Sequence, residues 1–147
     1  MSGLPERLRR LLPGVWAGLM LALGAVAAPS LFMLLERTEA GRVAGHLFTV
    51  EAQLSLVLAA ALGLLERSRA ARRAEAAGGP RVSAELLLVL GALFCTVLGH
   101  FALQPMMAAA RAGQGSWSFG ALHGLSSALF ALKGLLVATL AWRAARV

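Results

Sequence analysis

Few side chains in this sequence can do chemistry, and most of them stand alone in apolar surroundings. His46, His100 and His123 are the imidazoles, which bind haem, copper or zinc or relay protons. Glu51 and Lys133 are the charges that fall inside long apolar runs, and Gln53, Gln104 and Ser126 add neutral donors and acceptors there. Asp does not occur, so a Ser/His/Asp set is impossible, and there is no phosphate-binding glycine loop, dinucleotide fingerprint or His-Glu-x-x-His pattern. Cys95 is the single cysteine; it excludes an internal disulfide and a cysteine-based zinc site, and its apolar setting reads as an inert buried thiol. The motif inventory therefore points to a non-enzymatic protein.

Helical spacing sorts the polar residues into stripes. His46, Thr49 and Gln53 share one face, Thr96, His100 and Gln104 a second, and His123, Ser126, Ser127, Phe130 and Lys133 a broad third. Three stripes on three helices can converge on an interior polar cleft for a small ligand or ion, open to the outer side and drawing on His46, Gln53, His100, Gln104, His123, Ser126 and Lys133, or they can satisfy one another and helix carbonyls as packing contacts. The alternative is a haem or metal site on His46, His100 and His123. A lysine near a membrane-helix centre costs about 2.5–3.5 kcal/mol, so Lys133 is expected to approach Glu51 or Gln53, or else to reach an inner headgroup. Glu51 lies about 140° around its helix from His46 and groups with Ser55. One of those two faces must therefore point away from the cleft. A glutamate pointing away needs a neighbouring subunit, a partner protein or a proton.

The elements that must position these residues are four apolar stretches, each meeting the roughly 20 residues that cross a hydrocarbon core. Leu11–Leu35 carries no charge, Val43–Leu65 only Glu51, Leu86–Ala110 none beyond its histidine, and Ala112–Trp142 only Lys133. Charged residues make up 14% of the chain against about 25% in soluble domains, and the runs are apolar all round, which excludes a soluble bundle. The expectation is all-α: one polytopic four-transmembrane-helix domain over 1–147, with helices at roughly 12–35, 45–66, 84–104 and 119–142 and a basic loop over 67–83. Glu36–Gly45 reads as a short outer hairpin. Pro29 should kink or unwind the end of the first helix, and Gln104-Pro105 marks the end or a kink of the third. Gly78-Gly79-Pro80 breaks the second helix, and Ser83 is an N-cap for the third. Small residues four apart (Gly18/Ala22, Gly24/Ala28, Ala59/Gly63, Gly120/Gly124, Gly134/Ala138) read together as a closely packed bundle.

The net charge of +7 could indicate nucleic acid, but no basic recognition helix or stacking platform accompanies it. The arginines instead sort by side. Arg7, Arg9, Arg10, Arg67, Arg69, Arg72, Arg73, Arg81, Arg143 and Arg146 collect on one side, and only Arg37, Arg42 and Arg111 on the other. That asymmetry predicts both termini and the middle loop in the cytoplasm. Trp16, Trp117 and Trp142 fall at the expected boundaries, where indoles prefer the headgroup level. Arg9-Arg10, an apolar run and Ala25-Val26-Ala27 also resemble a cleavable signal, but the run continues through Leu35, and an uncleaved anchor is expected.

Three short patterns then line up in order. They are Ala28-Pro29-Ser30-Leu31-Phe32, the run Ala40-Gly41-Arg42-Val43-Ala44-Gly45-His46-Leu47-Phe48, and Phe119-Gly120-Ala121-Leu122-His123-Gly124-Leu125-Ser126, with Gln104-Pro105 between. Over roughly residues 14–142 the chain resembles the transmembrane protein 205-like family (domain of unknown function 4149). That resemblance implies a four-helix multi-pass membrane protein and no established reaction. Members often carry an Asn in the middle of the fourth helix, whereas Ser127–Lys133 has none, so no role of that Asn carries over.

These readings together describe a small non-enzymatic protein of a bacterial inner membrane. It handles a ligand or ion or serves a larger assembly, with the lipid bilayer and a second copy or a membrane complex as its partners, and neither nucleic acid nor a required cofactor. The two halves do not form clear inverted repeats, which argues against a lone transporter.

Overall fold

The computed structural model describes residues 3–146. They form four long helices and, among the described residues, no strand. Helix one runs Leu4–Leu34, helix two Arg37–Ala77, helix three Ala84–Arg111 and helix four Phe119–Ala145, and each is long and apolar enough to cross a membrane. Helix one packs on helices two and four, and helix three packs on the same two. Helices two and four thus face each other across the diagonal of a four-helix bundle.

The helix ends follow local chemistry. Ser83 Oγ accepts from the Leu86 amide at 3.1 Å, the N-cap expected from the sequence, and Ser118 caps helix four by accepting from Ala121 at 3.1 Å. Gly78, at φ +63°, ends helix two in a conformation that side chains rarely adopt. The outer hairpin expected over Glu36–Gly45 does not exist. Only Leu35 and Glu36 separate the first two helices, because Arg37–Ala44 is already helical and buries Ala40 and Ala44. Helix two therefore has 41 residues; at 1.5 Å per residue it is about 60 Å long, roughly twice a hydrocarbon core. Its arginine-rich last turns project beyond the apolar layer.

Pro29 and Pro105 each sit just after a widened, π-helical turn. Ala22–Ala27 precedes Pro29, and Val97–Ala102 precedes Pro105. The extra residue in each turn relieves the clash of the ring with the preceding carbonyls, so the helices continue to Leu34 and Arg111 instead of ending. Each wide turn places a glycine against helix four. A Cβ on Gly24 would lie 3.0 Å from the Phe130 ring, and one on Gly99 would lie 3.1 Å from Leu129. Ser126 Oγ donates to the Gly99 carbonyl at 2.8 Å, satisfying backbone that the wide turn exposes. Gly91 is equally tight, at 3.1 Å from Leu136. The small-residue reading holds at Gly24, Gly63 and Gly134, which face Phe130, Val89 and Met20. Gly18, Gly120 and Gly124 meet nothing within 4 Å and pack no helix.

Two apolar clusters fill the interior. Trp16, Met20, Ala59, Leu62, Val89, Ala92, Val137 and Leu140 form the larger, toward the end bearing both termini. Leu103, Met107 and Leu122 form the smaller, toward the opposite end. Large apolar side chains such as Leu21, Met33, Val57, Leu64, Phe94 and Leu135 coat the outside. That inversion of the soluble pattern is what a hydrocarbon solvent permits.

Candidate functional site

Between the two clusters lies a closed polar centre. Lys133, near the middle of helix four, donates through Nζ to both carboxylate oxygens of Glu51 at 2.9 Å and to Ser55 Oγ at 3.3 Å. Ser55 Oγ donates to Glu51 Oε1 at 2.6 Å and accepts from Trp16 Nε1 at 2.9 Å. Glu51 and Ser55 sit one turn apart on helix two, so they present to the same side. The network therefore ties helices one, two and four across the bundle diagonal. Its exposure is 3% at Lys133 and Glu51 and zero at Ser55 and Trp16. The Phe130 ring closes the side away from the termini: it lies 5.3 Å from Lys133 Nζ and meets Phe48 edge to face at 5.2 Å. Cys95 and Thr96 are buried on helix three, and Thr96 Oγ1 turns back to the Ala92 carbonyl at 2.9 Å. No buried side-chain polar atom among the described residues lacks a partner.

The sequence stripes do not converge as expected. His46, Gln53 and His123 are exposed, His100, Gln104 and Ser126 are half-buried, and only Lys133 of the seven cleft candidates is buried. His46, Thr49 and Gln53 do share a face of helix two, but it is the outer face. Glu51 lies on the inner one, which decides between the two faces that the sequence left open. His123 leaves the Lys133 stripe because ten residues of α-helix rotate by about 1000°, some 80° short of full turns; it stacks on Phe119 at 5.6 Å instead. His100 meets Phe101 edge to face at 5.1 Å. Among the described residues no group of three His, Cys, Asp or Glu side chains is placed to hold a metal ion. His46, His100 and His123 are therefore not one site.

Sequence reasoning placed Trp16 at a headgroup boundary, and this is corrected: it is fully buried because Ser55 supplies its indole N–H with an acceptor. Trp117 and Trp142 are exposed near helix ends, as expected.

A second buried ion cluster escaped sequence reasoning altogether. Arg9, at 2% exposure, contacts Glu6 at 2.8 Å and Glu66 at 3.4 Å, joining the first turns of helix one to the lower part of helix two. Glu66 is 1% exposed. The available signal was a lone acid among arginines at the end of an apolar run, and spacing alone gave it no partner.

Four apolar helices around a desolvated charge pair define a multi-pass integral membrane protein whose buried polar side chains, among the described residues, all find partners. The chain belongs to the family described as Domain of unknown function (DUF4149), whose model matches residues 11–116. That match takes in Trp16, Glu51 and Ser55 and ends before Lys133. No curated protein and no solved structure matches the chain.

Proposed function

We propose that this protein acts without catalysis, as a packing subunit of a larger assembly in a bacterial inner membrane, and that its first neighbour is a second copy of itself. One observation carries this reading: Gln53 is exposed at the depth of the central ion pair, two residues from Glu51, on the outer face of helix two. It stands among Val50, Leu54 and Val57, all exposed, and it makes no hydrogen bond among the described residues. Hydrocarbon offers an amide nothing, so such a group favours a helix–helix contact. A glutamine carries both a donor and an acceptor. Two copies related by a two-fold axis near Gln53 can satisfy each other reciprocally.

The ligand- or ion-cleft reading is weaker, because the polar centre is filled by its own side chains and the stripes that were to line a cleft point apart. The positive-inside distribution of arginines supports both termini on the cytoplasmic side. Native mass spectrometry from mild detergent tests the proposal. The wild type is expected as a dimer or higher species, Gln53→Asn should keep it, and Gln53→Leu should shift it to monomer. A monomeric wild type, or an unchanged Gln53→Leu oligomer, would reject it.

A further inference from the structure

A cleft of about 390 Å³ opens beside the buried Arg9 cluster, at the end of the bundle that bears both termini. The first turns of helix one supply Gly3, Pro5, Glu6 and Arg9, and the projecting part of helix two supplies Leu65, Ser68, Arg69 and Arg72. The carboxylate of Glu6 is engaged by Arg9 at 2.8 Å and Arg10 at 3.1 Å, and Glu66 lies behind Arg9 at 3.4 Å. Neither Arg69 nor Arg72 makes a salt bridge or hydrogen bond among the described residues, although both line the cleft. Arg9 and Arg73 repel Arg69, and Glu6 and Glu66 attract it. The cleft therefore holds two guanidinium groups with unused donors, the Ser68 hydroxyl beside them, and the first turn of helix one, which has no side-chain cap.

We propose that this cleft binds a phosphate-bearing anion, with Arg69 and Arg72 as its ligands and Ser68 as an added donor. The planar fork of arginine matches phosphate oxygens in pairs, which a lysine does not reproduce. Leu65 lines the same cleft at the edge of the bundle's apolar outer surface, which suits the acyl chains of an anionic phospholipid whose headgroup phosphate enters the cleft. A free phosphate species offers the same oxygens without the chains. Burial of Arg9 between two carboxylates sets the floor of the cleft, so Arg9 belongs to the scaffold and the two partnerless arginines to the site.

The test uses the purified full-length protein in mild detergent, with phosphatidylglycerol, phosphatidylcholine and inorganic phosphate as probes, read by lipid retention in native mass spectrometry and by thermal shift. Phosphatidylglycerol is expected to be retained and to stabilise the wild type, and phosphatidylcholine to do neither. Arg69→Gln/Arg72→Gln should weaken phosphatidylglycerol by about tenfold or more, since hydrogen bonds to charged groups carry the contact, and Arg69→Lys/Arg72→Lys should fall between. The charge-matched control Arg67→Gln/Arg81→Gln should stay within about twofold of wild type, because Arg67 lies about 160° from Arg69 around helix two. Inorganic phosphate needs no variant. If it displaces phosphatidylglycerol at millimolar concentration, the phosphate group alone is recognised; if only the lipid binds, the chains contribute. Equal retention of phosphatidylcholine, an unchanged Arg69→Gln/Arg72→Gln variant, or an equal loss in the control would overturn the proposal.

Discussion

Replacing Lys133 by Met should strand Glu51 in the middle of the bundle. In the wild type that carboxylate receives two hydrogen bonds from Nζ at 2.9 Å and one from Ser55 at 2.6 Å. After the substitution only Ser55 remains, at a site 3% exposed, so Glu51 must either stay charged without a counter-ion or take up a proton. Removing one member of a desolvated pair costs about 3–5 kcal/mol. The unfolded chain in a membrane or micelle also finds polar partners, which moves the expectation toward about 3 kcal/mol. Glu51→Gln should cost a comparable amount, since it leaves the ammonium facing a neutral amide. In the double variant neither charge remains, and Met and Gln keep similar volumes, so at least about 2 kcal/mol of the summed losses should return. For a chain of this size 1 kcal/mol moves Tm by about 2–4 °C. Thermal unfolding in one detergent, followed by circular dichroism, should show each single variant lower by roughly 6–12 °C and the double variant above the additive value. Strictly additive losses would refute the pairing and return Lys133 to the headgroup.

Ser55→Ala removes the acceptor of the Trp16 indole and should cost about 1–3 kcal/mol, with a change in tryptophan emission that Ser127→Ala on the outer face does not produce. Gly24→Ala should destabilise by about 1–3 kcal/mol through overpacking on Phe130, whereas Gly124→Ala, with open space around it, should be neutral or gain up to about 1 kcal/mol of helix propensity; thermal scans of the two variants separate the cases. A reporter fused after Val147, which lies outside the described residues, should read cytoplasmic and one inserted near Gly113 periplasmic; the reverse at either site would break the orientation.

The sequence made the four spans, the Ser83 cap and the glycine stop at Gly78 readable, because each depends on residues within a turn or two of one another. It also made Glu51 and Lys133 conspicuous, since charges inside apolar runs demand a reason. The pairing itself depends on helices two and four meeting across a diagonal, and no local pattern encodes that. The polar stripes misled for the same reason. Periodicity shows that His46, Thr49 and Gln53 share a face, but only packing decides which face is inside. Pro29 and Pro105 were read as kinks or helix ends because the wide turns that accommodate them have no signature in residue type. Trp16 was placed by the general preference of indoles for headgroups, and one hydroxyl on another helix overrode it.

The reading of this protein as a self-assembling membrane subunit rests on the outer face of helix two. Single cysteines at Val50, Leu54 and Val57, which leave Gln53 in place, with Leu132 and Leu135 of helix four as controls, can be oxidised in intact membranes in a Cys95→Ser background. All five positions are exposed, so access does not distinguish them. The expected result is a disulfide-linked dimer from the helix-two positions that flank Gln53, absent from both helix-four positions. Dimers formed equally from both helices, or from helix four alone, would contradict it.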